Sequence, residues 1–395
     1  MADKKDFREV ETNVEEIEEK IMLHRRKLFN RVVRIILILV ACVAAAGLWM
    51  ALRSYTSYEI KNTIELGDKS ASRYKSFLGN ILEYSNDGIV YMDGTGAQIW
   101  NQSFEMVSPQ VTICENYVAV YDKNGTDIYL LNDAGLVKNL ETTMPISTVC
   151  VANQGTVAVL MVEDKNYFVK LYDKGGKELA GGEFFGEQGS IPVDIALSYD
   201  AQKLAVDMVD ITSGTLNTTI SFYNFGSVGQ NEIDNNVGTY TYEDIFVPEI
   251  EYVSKDRMIA LGNSKFMIFE GAQKPKLKKE IVLEKEVSNV FYTNKYIGTA
   301  YSNNDEAGTM HLCVYDMSGN IVMENDTDMQ YTNVEFNSNN EICLTNQYEC
   351  EIYTVHSIKK FAYTFDTAIY KILYESGVNN YIVIREGAMD EVRLK

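Results

Sequence analysis

From Leu78 to the last residue the chain repeats itself, and that repeat restricts its fold more than any other feature. Alternating apolar runs of roughly four to eight residues are cut by turn signals such as Asn86-Asp87-Gly88, Lys123-Asn124-Gly125 and Gly175-Gly176. Comparable stretches begin at Ser85, Glu115, Asn153, Ser198, Ser254, Thr293 and Asn337. Most read as turn, strand, turn, second strand with an aromatic near its end. They recur at about 40–50 residues, the length of a four-stranded propeller blade. Radial packing lets each such blade bury both faces against its neighbours and expose only short edges. The expected fold is therefore all-β, a β-propeller over residues 78–395. A sandwich of this length would need unusual insertions, and a parallel β-helix would need a much shorter period.

Six complete units start near Gln110, Ser147, Ile191, Val247, Val287 and Tyr331. The end pieces, Asn80–Phe104 and Ala368–Lys395, each read as two or three strands. Building one blade from both chain ends closes the ring without an open edge. That merger predicts seven blades, the favoured number; keeping the ends separate predicts eight.

Ahead of the repeat lies Ile35–Leu52, eighteen residues without a charge, Asn, Gln or Pro. As a helix it covers about 27 Å, close to the apolar thickness of a bilayer. This reads as one transmembrane helix preceded by a cytoplasmic arm (residues 1–34) and followed by a stalk or connector (residues 53–77) with at most one strand. In the arm, Thr12-Asn13-Val14-Glu15 has the form of a capping box. Val14, Ile17, Ile21, His24 and Leu28 then make one mostly apolar stripe, suited to a docking face or to a solvated continuation of the span. Arg25, Arg26, Lys27, Arg31 and Arg34 precede the apolar run and only Arg53 follows it at once, which predicts a cytoplasmic N-terminus and an extracytoplasmic propeller. Leu39-Val40-Ala41-Cys42 also fits a lipoprotein cleavage pattern. The ten residues after Cys42 stay apolar, however, which favours an uncleaved signal-anchor. Ala41-x-x-x-Ala45 and Val43-x-x-x-Gly47 leave room for weak homodimer pairing of spans.

Charge narrows the partners. Residues 53–395 hold 27 Lys/Arg against 48 Asp/Glu. Such a surface repels nucleic acid and anionic headgroups, so neither is an expected partner of the large domain. Five cysteines outside the span, with no metal-ligand spacing, do not suggest a dense disulfide framework. Cys343 and Cys350 can meet across a hairpin, either as a disulfide or as two small apolar residues in a sheet.

Two stretches resemble known propeller repeats. Asp93-Gly94-Thr95-Gly96-Ala97-Gln98-Ile99-Trp100 is similar to the quinoprotein-like signature, one residue short between Asp and Thr. Ser198-Tyr199-Asp200-Ala201-Gln202-Lys203-Leu204-Ala205-Val206 resembles the Ser-Pro-Asp-Gly-Lys-x-Leu-Ala repeat of WD40-like and TolB-like propellers, with Tyr and Ala in place of Pro and Gly. The whole layout is similar to an uncharacterised family of single-span membrane proteins of Gram-positive Firmicutes. The resemblance implies an extracytoplasmic propeller and carries no activity. Quinoprotein dehydrogenases often have adjacent cysteines at the cofactor; none are adjacent here, so no quinone cofactor is implied.

No catalytic, cofactor-binding or metal-binding residue stands out. His311 and His356 lie in strand-like stretches without a nucleophile motif. Gly-x-Ser-x-Gly, HExxH and P-loop patterns are missing. Asp122-Lys123-Asn124-Gly125-Thr126-Asp127 opens like a calcium loop but lacks its closing Glu, and the same residues suit a hairpin turn. Thr241-Tyr242-Glu243-Asp244 reads as an exposed loop. The longest insertion, Val209–Ile245, is the first place to seek a ligand. Three functions are expected in this order: a non-enzymatic binding or scaffold protein for a protein or cell-envelope ligand, a glycan hydrolase or lyase with its site in the propeller channel, and, more weakly, a transmembrane sensor.

Overall fold

A computed structural model of the chain describes residues 14–67, 69–185, 189–212, 214–302 and 308–395. It forms two units, residues 1–53 and 54–395. The first is a single helix, α1 (Val14–Ala51). Within it, Glu18–Ala45 holds an 18-residue window apolar and long enough to cross a membrane. Thr12 and Asn13 of the expected capping box lie outside the described residues.

The second unit is an eight-bladed propeller of thirty-two strands, four to a blade, among the described residues. Blade 1 is β2–β5 (residues 73–103), blade 2 β6–β9 (109–141), blade 3 β10–β13 (146–185) and blade 4 β14–β17 (190–243). Blade 5 is β18–β21 (249–282), blade 6 β22–β25 (289–327) and blade 7 β26–β29 (333–364). Blade 8 takes β30–β32 (369–394) and is completed on its outer side by β1 (Tyr58–Glu65).

Closure comes from the two ends of the unit. β1 pairs antiparallel with β32, in register from Tyr58 opposite Leu394 to Glu65 opposite Ala388, with a bulge between Ile60 and Asn62. Thr63 Oγ1 donates to Asp390 Oδ1 at 2.7 Å, and the Lys395 N–H donates to the Ser57 carbonyl at 2.8 Å. One step earlier, the Tyr55 N–H bonds the Lys360 carbonyl on the outer strand of blade 7 at 2.7 Å.

The favoured count of seven is corrected to eight. The ends do share a blade, but each end piece is also the body of its own blade. Asn80–Phe104 is completed by β2 (Arg73–Phe77), and Ala368–Lys395 by β1. Both added strands come from residues 53–77, where a connector with at most one strand was expected. Their apolar alternation is faint for a physical reason. β1 is an outer edge that keeps Lys61, Asn62, Thr63 and Glu65 in water, and β2 turns Arg73 and Lys75 outward while burying Tyr74 and Phe77.

The apolar core is divided among the blade junctions. Phe77, Leu82 and Tyr91 of blade 1 pack on Val111, Val118 and Leu131 of blade 2. Leu373, Ile382 and Ile384 of blade 8 pack on Tyr74 and Ile81 of blade 1, so the ring has no gap. Eight such clusters, one per junction, explain why short half-apolar strands suffice: every face is covered by a neighbour.

The repeat motif has a visible structural task. Ser198 Oγ donates to Asp200 Oδ1 at 2.7 Å and accepts the Lys203 N–H at 2.9 Å, tying the turn that enters β15 (Lys203–Asp210). The Lys203 ammonium is buried and reaches the Ala272 carbonyl of blade 5 at 3.1 Å and Asp256 at 3.5 Å. Ala201, standing where the repeat has Gly, sits at φ 53°.

Candidate functional site

The first strand of each blade faces the propeller axis, so its outward-turned side chains line a central channel. In β18 (Glu249–Tyr252), Ile250 and Tyr252 are buried while Glu249 and Glu251 alternate with them on the other face. Period-two spacing sets these two carboxyls about 7 Å apart along the strand. They share a cavity of about 380 Å³ with Lys75, Thr112, Tyr292 and Asn294.

Polar bonds stitch the channel wall from blade to blade. Lys75 Nζ donates to the Val111 carbonyl at 2.8 Å, and the Cys150 thiol to the Ile195 carbonyl at 2.9 Å. The Ile250 N–H donates to Asp194 Oδ2 at 2.9 Å, and the Tyr292 hydroxyl to Glu249 Oε1 at 2.8 Å. Lys371 and Glu335 pair at 2.6 Å.

The enclosing ring perturbs these groups. Burial, with the Asp194 and Glu249 charges added, pushes the Glu251 carboxyl up to about 8. Burial raises Asp194 to about 7, although the Ile250 N–H opposes the shift. Asp207, directly opposite Asp194 on β15, is pushed up to about 8 by burial and by the Asp194 charge. Lys75 is lowered by burial and by Lys371, with Glu335, Glu251 and Glu249 pulling the other way. It is open to channel solvent yet walled in by protein. At neutral pH Glu251 and Asp207 therefore keep protons that free carboxylates would lose.

The residues singled out from sequence lie elsewhere. His311, on β24 (Met310–Asp316), bonds Asp326 at 2.6 Å and stacks near Tyr301 on the outer half of blade 6. His356 is in the turn between β28 and β29. Asp122–Asp127 is the hairpin turn between β7 and β8, with Asp122 Oδ1 accepting the Ser108 N–H at 2.7 Å. Cys343 and Cys350 are free thiols in the apolar junction of blades 7 and 8, their sulfurs 3.9 Å apart. Residues 209–245 supply mainly the outer strands of blade 4, and Thr241–Glu243 belong to β17 (Asn236–Glu243). Asp234 and Asn235 from that segment help line a cavity of about 460 Å³ with blade 3. Among the described residues, no three His, Cys, Asp or Glu side chains are placed to hold a metal ion.

Sequence reasoning missed the channel groups. Lys75 sits in the presumed connector, and Glu249 and Glu251 read as an ordinary strand. The one available signal was two carboxylates at i and i+2 in a short strand whose intervening residues are apolar.

A model of a family of unknown function, DUF5711, matches residues 51–394. The chain belongs to this family. No curated protein matches this DUF5711 chain in sequence. Similar solved structures include a eukaryotic initiation factor, 12% identical, with TM-score 0.50 over 84% of this chain and 84% of that one. BamB from Moraxella catarrhalis is 13% identical, with TM-score 0.48 over 86% of this chain and all (100%) of that one. Kuenenia stuttgartiensis hydrazine synthase is 10% identical, with TM-score 0.47 over 76% of this chain and 96% of that one. At 12% identity the likeness to the initiation factor extends to the fold alone.

Proposed function

We propose that this protein is a binding platform held at the cell membrane of a Gram-positive cell by α1, with its propeller outside. One observation carries the binding reading: a solvent-open cavity with polar walls at the hub of a ring braced at every junction. A rigid frame of this kind pre-organises its groups, so a ligand meets them with little ordering cost. Placement is supported by the apolar span and by Arg25, Arg26, Lys27, Arg31 and Arg34 before it. Small residues at Ala41 and Ala45 leave room for two spans to approach. Protease added to intact cells tests the placement. The propeller is expected to be digested without lysis; protection until lysis overturns it.

A second reading, a cell-envelope glycan hydrolase or lyase, is favoured by Glu251 alone. A carboxyl that holds its proton up to about 8 beside Glu249 has the form of a general acid next to a carboxylate. Glu251 would protonate the leaving glycosidic oxygen. Release of reducing ends from cell-wall glycan, lost in Glu251→Gln, would support it; no release between about pH 5 and 8 would end it.

A further inference from the structure

Charge in the channel is sorted by blade. Lys75 and Lys371 come from blades 1 and 8, and Asp194, Glu249 and Glu251 from blades 4 and 5. In a ring of eight, these two sectors face each other across the axis. Lys75 and the two glutamates also line one cavity, so the opposition is inside a single space.

Their partnering is uneven in a way that leaves an opening at each pole. Glu335 takes Lys371, whereas no carboxylate lies within ion-pair distance of Lys75 Nζ among the described residues. Across the channel, the Glu251 carboxyl has no hydrogen-bond or ion-pair partner among the described residues, and Glu249 is steadied by Tyr292. A simple anion would satisfy Lys75 and leave the Glu251 carboxyl without a partner. A simple cation would do the reverse. A neutral ligand would match neither. Only a molecule carrying both charges, separated by its own skeleton, meets both walls.

We propose that the channel cavity binds a small zwitterion, its ammonium on Glu249 and Glu251 and its carboxylate on Lys75. The volume of about 380 Å³ is that of a small-ligand site, which fits a free amino acid or a short amino-acid derivative. An ammonium beside Glu251 favours the ionised carboxylate, so binding at neutral pH drives a proton off Glu251. The proposal rests on the binding reading above for its biological use.

The test is calorimetry on the full chain in detergent micelles at pH 7. The probes are a ladder of ω-amino acids: 3-aminopropanoate, 4-aminobutyrate and 6-aminohexanoate. Each is run in two buffers of different protonation enthalpy. At least one rung is expected to bind with proton release, and the rung that binds best reads the spacing of the poles. The alkylamine and the carboxylate of matching length are expected to bind at least about tenfold more weakly, the loss of one charge-assisted contact. Lys75→Gln and Glu251→Gln should each cost a similar factor. If Glu251→Gln misfolds, Tyr292→Phe carries the test, because it frees Glu249 without changing the charge and should weaken the same rung. The proposal is overturned if no rung binds, if half-ligands bind as tightly as the zwitterion, or if the folded variants bind unchanged. A silent ladder with a propeller digested on intact cells removes the zwitterion and leaves the anchored platform standing. Protection on intact cells with a binding rung does the opposite.

Discussion

Asp207 offers the sharpest physical test of the channel wall. Its side chain is 0% exposed, directly opposite Asp194, and among the described residues neither carboxyl oxygen has a hydrogen-bond partner. The nearby Met208 N–H lowers its affinity for protons only slightly against burial and the Asp194 charge, which together bring it to about 8. Unfolded, the same group titrates near 4. The folded state therefore binds the extra proton, and stability declines as pH rises through the window from about 4 to about 8. Four units at about 1.4 kcal/mol each set an upper bound near 6 kcal/mol. Structural relaxation and proton sharing with Asp194 cut that to roughly half, about 2–3 kcal/mol. Asp207→Asn keeps the shape and removes the titration. Urea unfolding of the full chain in detergent, followed by circular dichroism, should find the variant about 2 kcal/mol more stable than wild type at pH 8.5 and little different at pH 5. An Asn variant whose advantage does not grow with pH, or that is destabilised at both values, would refute the reasoning.

Three further outcomes are expected. Deleting residues 58–65 should leave blade 8 with three strands and expose the β32 edge, and light scattering should report more aggregation than for the intact chain. Ala201→Gly relieves a left-handed turn at φ 53° and should raise stability by up to about 1 kcal/mol, read from the urea midpoint. Gly298→Ala places a methyl 2.3 Å from the Phe291 ring and should cost about 1–3 kcal/mol, with a lower thermal midpoint; an unchanged midpoint would mean that the ring moves freely.

The propeller was legible because its strands obey local rules. Turns such as Asn86-Asp87-Gly88 need particular backbone angles, and strands such as Tyr117–Asp122 need apolar residues on faces that a neighbour will cover. Blade number was not, because it depends on β1 and β2. An outer edge and a channel strand are the two positions where burial asks least of a side chain. The channel site was hidden for a different reason. Lys75 and Glu251 belong to blades on opposite sides of the ring, and nothing between them in the chain marks the convergence. Of the two histidines that the motifs offered, His311 is occupied with Asp326 in the outer half of its blade and His356 sits in a turn. The Val209–Ile245 stretch drew attention by its length, which turns out to be ordinary blade strands plus one longer connection.

The pairing of β1 with β32 also sets an order of events. Tyr58 is made long before Leu394, the residue it will face. Blades 1 to 7 can form from neighbours in sequence, a local and therefore fast process. The eighth cannot be finished until the two ends meet, across a loop whose closing entropy is the largest in the unit. During that interval the waiting strand and the unfinished blade each present an open edge. The ring is thus a clasp that snaps shut last, and a chain cut short anywhere before residue 388 never shuts it.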